Sequence, residues 1–374
     1  MKFLHLSDLH IGKRINGVSL YADQKYILEQ IIGIIKQYQP DAVVIAGDIY
    51  DKSMPSADAV TLLDDFLTAL SEQNLPVMII SGNHDSPERL AFGGRIMADK
   101  NIHIYSEFDG SLHCVRVQDV NFYLLPFVKP QMVRLFYDRP ELRDYNEMAE
   151  LIFKDFTKSE KSVLVMHQFV TAGGAETERC GSEVVNVGTL DNIDVSWLQD
   201  FDYVALGHVH KPQCVGNEKI VYCGSPLKYS FAEVGMPKYA VMVDADRDMA
   251  IEKIPLNPLR DMRKIKGKLE DLLNPDYYAE TNLSDYLHIT LTDEDELSDV
   301  RGRLSDVYEN ILEIELERDQ RLTKAAAVSA ETIRQRTPLE LFEQFFEEQN
   351  NRKMNDEQEK LVKEVMEEIC GQSN

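Results

Sequence analysis

The sequence predicts an α/β protein: a sheet-based domain over residues 1–255, a small α+β module over 256–322, and helices at the C-terminal end. Three features carry this prediction. Short continuous apolar runs alternate with longer stretches of helical periodicity. Those runs end in polar clusters rich in Gly, Asp, Asn and His. Past residue 255 the order changes to strand, helix, strand, and then helices alone. Apolar strands without internal alternation imply a sheet covered on both faces.

Lys2–Ser7 reads as an apolar strand ending in the polar turn Asp8-Leu9-His10. Tyr21–Tyr38 is expected to be helical, because Ile27, Leu28, Ile31, Ile32, Ile34 and Ile35 share one face. Ala42–Ala46 is an apolar strand closing on Gly47-Asp48. Ser56–Asn74 reads as a helix with Val60, Leu63, Leu67 and Leu70 on its buried side. Val77–Ile80 is a strand ending in Ser81-Gly82-Asn83-His84-Asp85. Further strands are expected at Asn121–Leu125, Ser162–Met166, Tyr203–Leu206, Ile220–Cys223 and Tyr239–Val243, after which Pro255 and Pro258 interrupt the pattern. In the small module, Tyr286–Leu291 alternates as a strand, Asp295–Tyr308 reads as a helix and Ile311–Leu316 as a second strand. Residues 323–336 have the composition of a linker. Residues 337–374 carry two helix-start signals: the capping box Thr337-Pro338-Leu339-Glu340 with proline at the first helical position, and Asn355 with Gln358. Their apolar faces are Leu339, Leu341, Phe342, Phe345 and Phe346, then Leu361, Val362, Val365, Met366 and Ile369.

With 374 residues, 44% of them hydrophobic and 28% charged, the chain has the material for two or three domains with real cores. No apolar run approaches the roughly 20 residues that span a bilayer, and the first residues lack the pattern of a signal peptide. A cytoplasmic protein is expected. The five cysteines, Cys114, Cys180, Cys214, Cys223 and Cys370, are scattered, so they are expected to be small buried side chains rather than disulfides or a zinc site. A net charge of −24 opposes nucleic-acid binding, which draws on Lys and Arg to neutralise phosphates. A nucleic-acid enzyme of this composition needs a local basic patch, bound cations or a partner.

Chemistry concentrates in Asp8-Leu9-His10, Gly47-Asp48, Gly82-Asn83-His84-Asp85, Met166-His167-Gln168 and Gly207-His208-Val209-His210. Each follows a predicted strand, and in open α/β sheets ligand sites form beyond the carboxyl ends of strands. Alone, Asp-x-His or Gly-Asp is ordinary turn chemistry, and a strand-end His is more often hydrogen-bonded than ligating. Together they form a donor set for hard-to-borderline divalent ions. Two ions about 3.5–4 Å apart need a bridging anion, and Asp48 is assigned that role. Asp8, His10 and His210 then complete one site, and Asn83, His167 and His208 the other. His84 is left to meet substrate. His5, His103, His113 and His288 have no such context and are expected to be surface or structural residues.

These motifs resemble the calcineurin-like metallophosphoesterase superfamily over about the first 255 residues. Within it, "HLSDLHIGK", "GDIYDKSMPS", "SGNHDSPERL" and "YCGSPLKYSF" resemble the double-strand-break repair nucleases. The resemblance implies a four-layer α/β/β/α sandwich. It also implies Mn²⁺-dependent hydrolysis of DNA phosphodiesters by two metal ions, as double-strand exonuclease and single-strand endonuclease. His84 would stabilise the transition state or protonate the leaving oxygen, with Asp85 orienting His84. By the same resemblance residues 256–322 would cap DNA. Residues 337–374 would dock on the coiled coil of an ATPase partner, and the chain would form a homodimer within a heterotetramer. One departure is that relatives outside bacteria carry an extra His shortly after Gly-Asp, where this chain has Asp51. The motifs alone also suit small-molecule, nucleotide or phosphoprotein phosphoesterases of the same fold, against which the cap and terminal helices speak. A non-catalytic scaffold would be expected to lose ligands or His84, and this chain keeps them all.

Overall fold

The computed structural model describes residues 1–158, 160–173, 192–293 and 297–317, with isolated positions 342, 343, 346, 354, 358 and 362. The expected linker and all but those isolated positions of the terminal helices lie outside the described residues, as do Cys180 and Cys370. In chain order the first part runs β1 (Lys2–Leu6), α1 (Tyr21–Tyr38), β2 (Ala42–Ala46), α2 (Ala57–Ser71), β3 (Val77–Ile80) and β4 (Ile102–Tyr105). It continues with β5 (His113–Val117), β6 (Val120–Leu125), α3 (Pro130–Tyr137), α4 (Tyr145–Phe153), β7 (Lys161–His167) and β8 (Tyr203–Gly207). Then come β9 (Gln213–Val215), β10 (Asn217–Tyr222), β11 (Lys238–Asp244) and β12 (Ala250–Leu256).

Two six-stranded sheets result, ordered β12-β11-β1-β2-β3-β4 and β9-β10-β8-β7-β6-β5. β1 to β4 run parallel in the first, and β6, β7, β8 and β10 in the second. Because side chains alternate along a strand, each central strand feeds two cores. Phe3, Val44, Met78 and Ile80 face Phe122, Val163, Val165, Tyr203 and Ala205 between the sheets. Leu4, Leu6, Val43, Ile45, Val77 and Ile79 face the other way, onto α1 and α2. Leu164, Met166, Val204 and Leu206 do the same beneath α4. The order of layers is therefore helix, sheet, sheet, helix. Phe3 meets Phe122 and Tyr203 edge-on, with ring centroids 5.2 and 5.5 Å apart. Removing a ring of this kind costs roughly 3–5 kcal/mol.

α1 buries every apolar residue expected of it, and α2 is capped by Ser56, whose side chain accepts from Ala59 N. Val60 departs from expectation: it is 47% exposed, because the buried stripe runs through Ala59, Leu62, Leu63, Phe66, Leu67 and Leu70, one step round the helix. Pro255 does not end the sheet either. It sits inside β12, opposite Tyr239, on an edge strand where a missing N–H leaves no partner unsatisfied. Cys223 is buried as expected, whereas Cys114 and Cys214 are exposed. His5 is fully buried between the sheets, its Nδ1 3.0 Å from the Tyr203 hydroxyl.

The chain divides into two compact units. The first holds Met1–Ile265, Glu280–His288 and Ser305–Glu313. Within it, buried Asp23 accepts from Arg260 Nε at 3.0 Å and from the Tyr286 hydroxyl at 2.7 Å, and Met262, Tyr286 and Leu312 join the core of Leu4 and Ile31. The described part of the second comprises residues 266–279, 289–293, 297–304 and 314–317 with the isolated C-terminal positions, and Leu269, Leu272, Ile289, Leu291 and Leu304 are buried in it. Tyr286–Leu291 and Asn310–Leu316 are strands, close to expectation, while the helix between them spans only Val300–Ser305 among described residues. No helix among the described residues is long and apolar enough to cross a membrane.

Candidate metal centre

The parallel pairing of β1 and β2 continues past the sheet into the loops. Asp8 N donates to Gly47 O at 3.0 Å, His10 N to Asp48 O at 2.9 Å and Ile11 N to Ile49 O at 2.9 Å. This zipper sets Asp8 and His10 level with Asp48. Gln24 on α1 fixes the turn, donating to the Leu9 and His10 carbonyls at 3.2 and 2.7 Å. Asp8, His10, Asp48 and His208 all hold positive φ, at 53°, 44°, 49° and 100°. Left-handed backbone at non-glycine residues costs about 1–3 kcal/mol each and persists where surroundings enforce it, commonly at functional sites. Two glycines allow the loops to close. A Cβ on Gly82 would lie 2.1 Å from Asp48 Oδ1, and one on Gly207 would lie 1.9 Å from Ala46 O. In their absence His84 N donates to Asp48 Oδ1 at 2.9 Å, and His208 N to Asp8 Oδ1 at 3.0 Å.

The side chains then converge. His10 Nε2 and His210 Nε2 are 3.0 Å apart. Asp48 Oδ2 lies 3.5 Å from His10 Nε2 and 3.4 Å from His167 Nε2. Asn83 Oδ1 lies 3.1 Å from His167 Nε2 and 2.8 Å from His208 Nδ1. Asp8, His10, Asp48, His167 and His210 are no more than 2% exposed. All seven residues assigned to metal in the sequence, from both sheets, meet in one cluster. Three sets of potential ligand atoms overlap there, each within 4.8 Å: Asp8-His10-His210, His10-Asp48-His84 and Asp8-Asp48-His167. Imidazole nitrogens facing each other beside two buried carboxylates are poorly satisfied by one another. Divalent cations satisfy them, and Asp8, His10 and Asp48 each belong to two of the sets, so the donors for neighbouring ions overlap. The residues fit a pair of ions.

Electrostatics agree with that fit. Burial opposes charge on His167, but Asp48 and Asp8 outweigh it and raise the imidazole to about 9. Burial also acts against ionised Asp48, and the surrounding histidines, His167 first, overcome it and hold the carboxyl well below its ordinary range. His208 is driven down to about 3, by burial first and then by His167. The cluster thus favours a positive charge beside the Asp48 carboxylate, a place that a bound cation would fill.

His84 is half-buried, its ring edge-on to His10 at 4.8 Å. Its Nδ1 is 2.8 Å from the Asp51 carbonyl, which leaves Nε2 for other contacts. Asp85 was expected to orient His84, but its carboxylate accepts from the backbone N–H groups of Ile49, Tyr50 and Gly82 at 3.1, 2.8 and 2.9 Å. It ties the Asp48 loop to the Asn83 loop, and its hold on His84 is indirect. Burial, then Asp48, raises Asp85 to about 6 against those three donors.

The calcineurin-like phosphoesterase family matches residues 1–212. Residues 258–350 match the SbcD C-terminal family, described as the type 5 capsule protein repressor C-terminal domain. A Staphylococcus epidermidis protein, named as the SbcD component of the nuclease SbcCD, is 33% identical over 320 residues, covering 83% of this chain and 84% of that one. The chain belongs to the SbcD family of calcineurin-like phosphoesterases. Two solved structures are similar at low identity. A Thermus thermophilus protein is 14% identical, with TM-score 0.41 over 68% of this chain and 99% of its own. A Danio rerio dimetal phosphatase is 12% identical, with TM-score 0.38 over 69% and 99%.

Around the cluster lie residues of this SbcD family member to which the sequence alone assigned no role. Glu233 and Lys238 are buried beside His210. Ser7 donates to Asp8 Oδ2, and the Tyr229 hydroxyl donates to Leu9 O. Phe127 stacks near His208, with centroids 6.4 Å apart and planes at 26°. "HLSDLHIGK" and "YCGSPLKYSF" supplied signals for two of them, since Ser7 and Tyr229 lie within these segments. Glu233 and Lys238 are common residue types whose burial no local pattern reveals.

Proposed function

We propose that this chain is the nuclease component of an SbcCD-type complex, hydrolysing DNA phosphodiesters in DNA repair, recombination and replication. One observation carries the reading: side chains from the strand ends of both sheets meet around Asp48 in a buried set of carboxylate, amide and imidazole donors. Family membership narrows the reaction to the one that the S. epidermidis relative's name states. When bound, two divalent ions, Mn²⁺ by preference, supply Lewis acidity to the phosphate and activate the attacking water. Asp8, His10 and His210 would hold one ion, Asn83, His167 and His208 the other, and Asp48 both. His84 would donate a hydrogen bond to the phosphate or a proton to the departing oxygen, while the Asp51 carbonyl fixes its ring.

The partner in this reading is an SbcC-type coiled-coil ATPase. It would receive residues 337–374 and contribute DNA-binding surface, which lets this chain carry a net charge of −24. A homodimer within a heterotetramer and a cytoplasmic location complete the proposal, with residues 256–322 as the DNA cap. The test is an Mn²⁺-dependent assay on blocked duplex ends, with and without the ATPase. Asp48→Ala is expected to lose metal and activity together. His84→Ala should keep metal and lose roughly 10²–10⁴-fold in turnover. Undiminished cleavage after thorough chelation would overturn the reading.

A further inference from the structure

We propose that Asp51 and Glu233 are positioning residues, each a lysine-held carboxylate that accepts a hydrogen bond from the Nδ1–H of one metal-site histidine and so commits that ring's Nε2 to the ion. The inference rests on the metal-ion reading above. His10 and His210 bring their Nε2 atoms within 3.0 Å of each other, in the cluster that includes Asp8. An imidazole that gives the Nε2 lone pair to a cation carries its proton on Nδ1, and that proton needs an acceptor. His10 Nδ1 is buried without a hydrogen-bond partner among the described residues, and Asp51 Oδ1 faces it at 3.8 Å. His210 Nδ1 faces Glu233 Oε1, also at 3.8 Å. Each ring thus has a carboxylate oxygen 3.8 Å from Nδ1, and each gap is expected to close when the ring turns to an ion.

Both carboxylates are fixed in place. Lys13 Nζ lies 2.7 Å from Asp51 Oδ1. Lys238 Nζ donates to Glu233 Oε2, to the His210 carbonyl at 2.9 Å and to Ser225 Oγ at 2.8 Å, so one ammonium spans acceptor and ligand. Tyr229 N donates to Glu233 Oε1 at 3.1 Å. Glu233 is 0% exposed and Lys238 5%. A buried ion pair is an inefficient way to stabilise a fold, because desolvation consumes most of the attraction. Its position against His210 gives the charge a purpose. The other two histidines are served differently. His167 Nδ1 is 2.8 Å from the Ala46 carbonyl, and His208 offers Nδ1 to the cluster. The carboxylate flanks therefore belong to the Asp8 ion alone.

The experiment is Mn²⁺ binding to the full chain, followed by the electron paramagnetic resonance signal of free Mn²⁺, together with ¹⁵N histidine spectra of the metal-free protein. Asp51→Ala removes one flank and leaves the backbone carbonyl that holds His84. Glu233→Leu combined with Lys238→Met replaces the other with an apolar pair, so that no buried charge is stranded. Wild type is expected to bind two equivalents, and each variant to bind one of them roughly 10–100-fold more weakly with the other unchanged. Asp51→Ala should move only His10 away from the Nδ1–H tautomer, and the Glu233 variant only His210. Wild-type affinity in both variants overturns the proposal, as does equal weakening of both equivalents or an unchanged tautomer at both rings. A wild-type chain that binds no Mn²⁺ instead overturns the metal reading beneath it.

Discussion

At the scale of single residues, the centre is built from groups that water would treat very differently. Asp8, His10 and Asp48 hold left-handed backbone and near-total burial together. Only the interlocking loop hydrogen bonds make that combination stable. His5 offers a cleaner probe of burial, standing apart from the cluster. Burial drives its imidazole from 6.5 down to about 3, against a backbone hydrogen bond at Leu206. Between those values the unfolded chain binds a proton and the folded chain does not. The metal-free protein should therefore lose stability as pH falls from about 6.5 toward 3, at up to about 1.4 kcal/mol per pH unit from this residue. Thermal midpoints between pH 7 and 5 measure the slope, and His5→Phe should flatten it. A slope unchanged by that substitution would assign the acid sensitivity elsewhere.

At the scale of elements, legibility followed burial. β1, β2, β3, β7 and β8 lie inside their sheets and carry continuous apolar runs, so the sequence announced them. β4, β5, β9 and β12 went unannounced, and all four are edge strands. β5 is mostly exposed and β12 alternates irregularly, with Pro255 inside it. A strand with one neighbour and little cover needs no apolar run. Close approach between loops shows the reverse dependence, on a missing side chain. Gly82→Ala would press a methyl into Asp48, so we expect a loss of about 1–3 kcal/mol in stability and a marked fall in Mn²⁺ affinity. Differential scanning calorimetry and metal titration read both effects, and full retention of metal would show that the loop yields.

At the scale of the whole molecule, the cluster ties together the carboxyl ends of two sheets that also share the core between them. Metal should therefore stabilise the domain as one body. At a hundredfold excess over Kd the gain is about 2.7 kcal/mol, which raises the thermal midpoint by several degrees, and Asp48→Ala should abolish the rise. The sequence by itself determined the donor set and its place at strand ends, because Asp, Asn and His have little turn rationale in those five motifs together. It also determined the interior strands and α1, since apolar runs and helical periodicity are local. Tertiary structure alone decided that two separate sheets share the centre and that Asp85 braces backbone rather than His84. It likewise brought the common residues Asp51, Glu233 and Lys238 to the histidines. Those outcomes depend on contacts between residues distant in the chain, and pairing energies over such separations leave no mark on any short stretch of sequence.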